Sequence, residues 1–408
     1  MDVRYPAEAE QFRAEVRAIL TEELPAGFAG VGSITDPDEA RAWVEQWRAT
    51  LHRRGLLGVT WPVEYGGRGL SKLHQVVLVE ELARAGVPYG APYDTYSLKM
   101  LANTLLRWGT DEQKKRFLPA IQSGEEHWCQ GFSEPSSGSD LASLRTRAVL
   151  GGDEWIIDGQ KIWTSHAYDA HWIFVLCRTN AAASLHKGIS FLLVPIDQPG
   201  VEVRRIRQLG GGSDFCEVFF TGARTHVDNV VGPVDSGWQV ATTLLGFERG
   251  EEAATNPILF RAEVDRLIAL ARARGITADP VVRRRLARSI ADVEVMRHLG
   301  YRILTGVLKG AAPGPESSVS KLYWSEHHQR VTNLALDVLG PDGLVPRGRP
   351  PLRHYRTDDP GIPLDATASW QGAWANAVSG TIYAGTSEVQ RNILAEQVLG
   401  LPREPRSR

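Results

Sequence analysis

GFSEPSSGSD, residues 131–140, gathers serine hydroxyls, glycines and carboxylates into one short segment. Glycines let such a segment bend sharply and direct backbone N–H groups and hydroxyls at an anion or a polar ring. Composition alone favours an ordinary surface loop. The Gly-x-Gly-x-x-Gly and Gly-x4-Gly-Lys-Ser/Thr signatures are both absent, so the segment is neither a Rossmann nor a P-loop phosphate cradle. Its meaning depends on the sequence around it.

Length and composition limit the possible classes of protein. The 408 residues suffice for two or three domains, and 46 Lys and Arg against 48 Asp and Glu leave a net charge of −2. This balance predicts no nucleic-acid partner and no membrane surface. Cys129, Cys177 and Cys216 are widely spaced and odd in number, which predicts buried free thiols and no metal site. With no leader pattern and no spanning apolar run, we expect a cytoplasmic protein.

The spacing of apolar residues changes twice along the chain, from helical to strand-like and back, which predicts an α+β protein of three domains. Residues 1–126 have helical apolar spacing, as in the face formed by Phe12, Val16 and Leu20. Residues 127–235 contain strand-length apolar runs and predict a central antiparallel β domain, with a hairpin turn at Asp158-Gly159. Residues 236–408 predict a helical bundle, with an Ala/Pro/Gly linker at 311–315 and long amphipathic segments at 238–247, 262–272, 281–308 and 318–339.

Two kinds of charged pair carry no functional prediction. The acidic pairs Glu22-Glu23 and Glu80-Glu81 are expected to be solvated helix faces. The neighbouring histidines His327 and His328 lack a metal-ligand partner at helical spacing, so we expect solvated or core histidines.

Five motifs occur in a fixed order along the chain. They are residues 131–140, residues 159–165 (GQKIWTS), residues 209–232, the dipeptide Glu248-Arg249, and residues 382–391 (IYAGTSEVQR). In this order, and with helices before and after a β domain, the sequence resembles the acyl-CoA dehydrogenase family over roughly residues 5–402.

The resemblance implies a reaction and its participants. It implies α,β-dehydrogenation of an acyl-CoA thioester to the trans-2-enoyl-CoA: a base removes the pro-R α-proton, and the β-hydrogen leaves as hydride to FAD. Electrons then pass to an electron-transfer flavoprotein or a similar acceptor. It also implies a homotetramer or heterotetramer, with FAD at the junction of the β domain and the C-terminal helices. Hydrogen-bond donors must polarise the thioester carbonyl, and apolar surroundings raise the pKa of a carboxylate base.

The position of the base departs from the commonest pattern in the family. Where most members have Glu after the tyrosine of residues 382–391, this chain has Ala384, which has no proton-accepting side chain. A second subgroup, including isovaleryl- and long-chain-type enzymes, carries its base at the position of Glu248, which we therefore predict as the base. The alternative is a surface Glu-Arg pair. The backbone N–H of Ala384 can still donate to the carbonyl, and Arg249 matches a contact to CoA or is a solvated charge.

Other positions match the family's cofactor contacts. The predicted FAD-binding residues are Phe132, Ser133, Ser139, Trp163, Ser165, Arg272, Asp337, Gly340, Thr386 and Glu388, and Ser139 is also a predicted substrate contact. Ser136 and Ser137 suit loop-stabilising turns better, and Trp163 could instead be a core aromatic residue.

The part that resembles a contact with a neighbouring subunit's FAD is eroded. Asp337 replaces the usual Gln, and only Arg272 or Arg274 remains of an Arg-x-x-Phe-Gly motif. An acid near a pyrophosphate repels it unless the acid is paired or protonated. This erosion leaves open that the chain is one partner-dependent half of a hetero-oligomer, and Ala384 leaves open a non-catalytic scaffold. A third alternative is a flavin oxidase or monooxygenase on the same fold.

Overall fold

The computed structural model describes residues 5–309, 314–352 and 359–403, and within them leaves out the side chains of 247–254, 307, 308 and 316. The chain forms two compact units. A helical unit contains Met1–Thr50, Ser71–Tyr89 and Arg249–Arg408, and a β unit contains Leu51–Leu70 and Gly90–Glu248. The three-domain division stays a prediction. The linker expected at residues 311–315 lies largely outside the described residues.

Several helices begin at a side-chain cap that the sequence supplies. Asp36 accepts hydrogen bonds from the N–H groups of Asp38 and Glu39 at the start of one helix, and Thr110 and Gln113 form a reciprocal capping box at another. The helices are α1 (Ala7–Glu23), α2 (Pro37–Arg53), α3 (Lys72–Arg84), α4 (Ala102–Trp108), α5 (Asp111–Ser123), α6 (Gly237–Ala273), α7 (Pro280–Leu308), α8 (Ser318–Leu339), α9 (Thr367–Gly380) and α10 (Ser387–Ile393).

One sheet organises the β unit. Its strands are β1 (Trp128–Gly131), β2 (Arg147–Gly151), β3 (Glu154–Ser165), β4 (Trp172–Arg178), β5 (Ile189–Pro195), β6 (Val201–Ile206), β7 (Phe215–His226) and β8 (Val230–Val231). They follow the order β6-β7-β3-β2-β4-β5-β8, with β1 beside β4. The sheet is mixed, because β1 pairs with β4 in parallel, as does β2 through one residue pair, whereas the sequence predicts only antiparallel pairing. The long connections between these strands allow it.

The predicted hairpin turn at Asp158-Gly159 is wrong. Strand β3 continues through both residues, and the turn that joins it to β2 is formed by Gly152 and Asp153. Asp158 lies at a bulge, where its carboxylate accepts the N–H of the extra residue Gly222 at 2.9 Å. A bulge bends a strand without ending it.

The β core contains all three cysteines. Cys129, Cys177 and Cys216 are free thiols without exposed surface, in a cluster with Ile157, Val194 and similar residues, which confirms the prediction of buried thiols. Burial raises the pKa of the Cys177 thiol to about 12.

The core of the helical unit is built by α6, α7, α8 and α9. Phe260, Trp324 and Trp370 lie in its centre. The sequence predicts α6 as two helices, at 238–247 and 262–272, but one helix runs through both and includes Pro257. His327 and His328 have no exposed surface and are core histidines. None of the described helices has the length and apolar content that a membrane crossing requires.

The expectation of a solvated Glu80-Glu81 pair is wrong. Both carboxylates are buried between α1 and α3, where Arg13 Nη1 lies 3.1 Å from Glu80 Oε2 and 2.5 Å from Glu81 Oε1. Arg17 Nε adds a contact of 2.7 Å to Glu81. Acids on the inner face of a helix stay charged when arginines of the facing helix pair with them.

Candidate active site

The loop 131–140 is fastened to strand β3 of the same unit. Phe132 is buried edge-on against Phe174 and Phe191, at ring-centre distances of 5.9 and 6.1 Å. The Ile162 N–H donates to the Ser133 carbonyl at 2.9 Å. The two predicted cofactor motifs of the β unit, residues 131–140 and 159–165, are therefore neighbours in space.

A buried ion pair joins the same two motifs. Lys161 Nζ lies 2.8 Å from Glu134 Oε1, and the Glu134 carboxylate also accepts the N–H groups of Arg145 and Thr146 at 2.7 and 2.8 Å. Burial opposes ionisation of Glu134, but the Lys161 ammonium and these hydrogen bonds outweigh it and hold its pKa below the usual range. The sequence analysis did not single out either residue. The available signal was a lysine at an inward position of β3, in line with Trp155 and Ile157.

The serines of the two motifs, residues 131–140 and 159–165, divide into two groups. Ser137 is buried, and its hydroxyl lies 2.7 Å from that of Ser143, so it closes the loop as expected. The side-chain hydroxyls of Ser133, Ser139 and Ser165 have no hydrogen-bond partner within the described ranges 5–309, 314–352 and 359–403. These three hydroxyls are available to a ligand.

Trp163 is not a core aromatic residue. Its side chain is 57% exposed and its backbone has φ +61°, which is uncommon for a residue with a side chain. The cause is a bulge between Lys161 and Thr164, which are both fully buried while Trp163 is turned outward. The strand thus holds an indole at the surface of the β unit, where it can pack on a planar ring.

In the helical unit, residues 382–391 form a rigid turn before α10. Ala384 has φ +52°, its carbonyl accepts Gln390 Nε2 at 3.0 Å, and the next carbonyl, of Gly385, accepts Lys321 Nζ at 2.8 Å. The N–H of Ala384 has no acceptor in the described part of the chain. The turn therefore offers a fixed, unused donor, as the resemblance implies.

The turn opens onto a polar groove between α8 and α10. This groove has a volume of about 540 Å³, and Thr386, Ser387 and Glu388 line it together with Arg330 and other residues of α8. Thr386 caps α10 by accepting the N–H of Val389, and the Ser387 hydroxyl is buried without a partner among the described residues. A hydrogen bond from the backbone N–H of Glu388 itself, followed by one from the Thr386 hydroxyl, lowers the pKa of Glu388.

In the region around residues 337–342, where the family motif is eroded, the acidic side chains pair with arginines of the same chain. Asp337 Oδ2 lies 2.5 Å from Arg285 Nη1, and Asp342 Oδ2 lies 2.6 Å from Arg274 Nη1. Arg274 holds the pKa of Asp342 below its ordinary value. Gly340, with φ +57°, ends α8.

The remaining predicted residues lie in helix α6. Arg272 is exposed on its last turn and has no side-chain partner among the described residues. Glu248 and Arg249 are in the middle of the helix, but their side chains lie outside those described, so the predicted base remains a prediction. Residues 132–165 belong to the β unit and residues 272–388 to the helical unit.

The available groups fit a flavin nucleotide. Within the β unit, the unpaired hydroxyls can donate to and accept from flavin oxygen and nitrogen atoms, and the outward indole can pack on the ring system. Within the helical unit, taken by itself, the orphaned Ser387 hydroxyl suits a phosphate or ribose.

Family comparisons cover most of the chain. Models of the acyl-CoA dehydrogenase N-terminal, middle and C-terminal domains match residues 6–125, 129–223 and 235–399. The chain is 42% identical over 403 residues to acyl-CoA dehydrogenase IpdE1 of Mycobacterium tuberculosis, which covers 97% of this chain and 99% of the relative.

Solved structures agree. A structure titled "Tcur3481-Tcur3483 steroid ACAD" has a TM-score of 0.80 and 36% identity, covering 99% of this chain and 100% of that one. The ChsE4-ChsE5 complex from Mycobacterium tuberculosis has a TM-score of 0.78 and 29% identity, covering 99% and 100%. Matches to all three domains, with this identity over nearly the whole length, confirm the resemblance: the chain belongs to the acyl-CoA dehydrogenase family and is a flavoprotein oxidoreductase.

Proposed function

We propose that the protein catalyses FAD-dependent α,β-dehydrogenation of an acyl-CoA thioester to the trans-2-enoyl-CoA, with an electron-transfer flavoprotein or a similar carrier as acceptor. The observation that carries the proposal is the unused N–H of Ala384 in a turn fixed by Lys321 and Gln390. A preorganised donor aimed at a carbonyl oxygen is what removal of a weakly acidic α-proton requires.

The residues of the chain divide the work. FAD, when bound, supplies the hydride acceptor. Glu248 takes the α-proton on its carboxylate, and the Ala384 N–H stabilises the charge that develops on the thioester oxygen. Arg249 binds the CoA portion and Ser139 contacts substrate. The cofactor is held by Phe132, Ser133, Ser139, Trp163, Ser165, Arg272, Asp337, Gly340, Thr386 and Glu388.

For the acyl group we propose a bulky, polycyclic chain of the steroid type. A 36% identical structure is titled as a steroid enzyme. Ala384 replaces a carboxylate with a methyl group, which leaves more room beside the reacting carbons.

A second candidate is a subunit that works only with a different partner chain. The ion pairs Arg285–Asp337 and Arg274–Asp342 favour it. They use Asp337 and Arg274, which lie in the part of the chain that resembles a contact with a neighbouring subunit's FAD. One similar structure is itself titled as a complex of two differently named chains.

One titration tests the proposal. The purified protein is mixed anaerobically with a steroid-type acyl-CoA and, separately, with a straight-chain acyl-CoA of similar mass, and the flavin absorbance is followed. We expect bleaching with the steroid-type substrate and an enoyl-CoA product. Bound flavin that no acyl-CoA bleaches would contradict the proposal and support the scaffold alternative. Rapid oxygen consumption on mixing in air would indicate an oxidase or monooxygenase.

A further inference from the structure

We propose that Lys161 and Glu134 are positioning residues, and that their buried ion pair sets the FAD affinity of the β unit by fixing the loop 131–140 against strand β3. The inference rests on the proposed function, because it concerns residues that the proposal assigns to FAD.

The pair is the point where the two segments are tied. The Lys161 side chain has no exposed surface, and its ammonium lies 2.8 Å from Glu134 Oε1 and 3.1 Å from the Phe132 carbonyl oxygen. Glu134 in turn holds the N–H groups of Arg145 and Thr146, at the start of β2. One carboxylate and one ammonium thus connect the loop to two adjacent strands.

Stability alone does not account for this pair. Two charges without access to water carry a large desolvation cost, and apolar side chains of the same volume are often at least as stabilising. A charged pair with defined partners does, however, specify one geometry, because each of its hydrogen bonds has a preferred direction. The physical advantage is therefore orientation of what the pair holds.

The two segments that the ion pair joins carry several of the predicted FAD contacts. Phe132 and Ser133 directly precede Glu134, and Trp163 follows Lys161 by two residues. The bulge that turns Trp163 outward begins at Lys161, so an anchored lysine fixes where the strand departs from regular pairing. Displacing the ammonium would release the loop and the indole together.

Two variants test the inference. Lys161→Met removes the ammonium but keeps an apolar stem, and Glu134→Asp keeps the charge but shortens its reach. Arg147→Met is the matched control, since it removes a partly exposed ion pair to Asp158 between the same two strands, β2 and β3, at 3.3 Å. For each, FAD affinity is measured by titrating flavin-free protein, the visible band of the bound flavin is recorded, and the melting temperature is taken without FAD.

We expect both test variants to bind FAD at least about tenfold more weakly and to show an altered visible band. We expect Glu134→Asp to fold with a lowered melting temperature, because the shorter carboxylate cannot keep all of its buried contacts. We expect Arg147→Met to match the wild type in FAD affinity and spectrum. Wild-type affinity and spectrum in both test variants, whatever their melting temperatures, would make the pair purely structural and overturn the inference. If Lys161→Met does not fold, Glu134→Asp decides alone. A wild-type chain that takes up no FAD would overturn the proposed function and this inference together.

Discussion

Five of the described residues with side chains have positive φ, and Trp163 and Ala384, at φ +61° and +52°, are two of them. Such conformations persist only where surrounding contacts impose them, and they concentrate at functional sites. The family resemblance assigns Trp163 to packing against the flavin and the Ala384 N–H to the thioester carbonyl. Motif comparison could identify these positions, but it could not show their conformation, because that comes from a bulge in one case and from contacts of Lys321 and Gln390 in the other.

Glu248→Gln tests the predicted base. The amide keeps the shape of the side chain but cannot accept the α-proton, so we expect flavin content to be unchanged and the rate of substrate-dependent flavin bleaching to fall by about 10²–10⁴-fold. Stopped-flow absorbance measures it. Glu294→Gln is the control, because Glu294 lies in an ion pair with Arg297 on the surface of α7. Wild-type bleaching in Glu248→Gln would remove Glu248 from the mechanism.

Elements were predictable where the apolar pattern had one clear face. The sequence predicts α8 at residues 318–339, its observed bounds. It does not predict α9, in which Trp370, Ala373 and Ala377 are buried with many polar neighbours, so that no polar face stands out. Lys161 shows the same limit in a strand, because a charged residue at an inward position is expected at the surface until its partner is known.

Gly159→Ala tests whether strand β3 requires a glycine at this position because it packs closely against Thr146. A Cβ at this position would lie 2.5 Å from Thr146 Oγ1, and the backbone has φ +151°. We expect the variant to lose roughly 1–3 kcal/mol of unfolding free energy. Gly152→Ala is the control: it also has positive φ, +70°, but meets nothing within 4 Å, so it should lose less. Urea unfolding followed by tryptophan fluorescence compares them, and equal losses would refute the role of close packing.

The charge cluster between α1 and α3 consists of Arg13, Arg17, Glu80 and Glu81, and its contribution to stability can be tested. Arg13→Met leaves two buried carboxylates short of a partner, and we expect it to cost roughly 3–5 kcal/mol. Arg41→Met, which breaks an exposed pair with Asp38, should cost under about 1 kcal/mol. Similar unfolding midpoints for the two variants at neutral pH would contradict the cluster's role.

The same cluster predicts a direction for pH dependence. Burial opposes ionisation of Glu81, but Arg17, Arg13 and Arg84 prevail and lower its pKa. A lowered folded-state pKa gives stability that is present above the unfolded-state value, about 4.3, and is lost as pH falls through the folded-state value. Below about pH 4, the urea midpoint of the wild type should therefore decrease more steeply with falling pH than that of Arg13→Met. Parallel profiles would exclude the cluster as a source of acid sensitivity.

The assembly of the protein can be determined by counting its chains and its bound FAD. If this chain forms a homotetramer, native mass spectrometry should find four copies and absorbance close to one FAD per chain. If it needs a different partner, the chain alone should carry little FAD, and flavin should appear on co-purification with that partner. The proposed function, in which the purified chain binds FAD itself, leads us to expect the first result. Little flavin in the chain alone, restored by a partner, would favour the second candidate, to which the ion pairs at Asp337 and Asp342 point.

All three cysteines lie in the core of the β unit, and none lies in the helical unit. A thiol reagent can react only when that core opens, so the labelling rate measures opening of the β unit separately from the helices. Adding a ligand of the β unit should slow the labelling, which makes the native thiols an assay for cofactor uptake that needs neither an engineered label nor a turnover measurement.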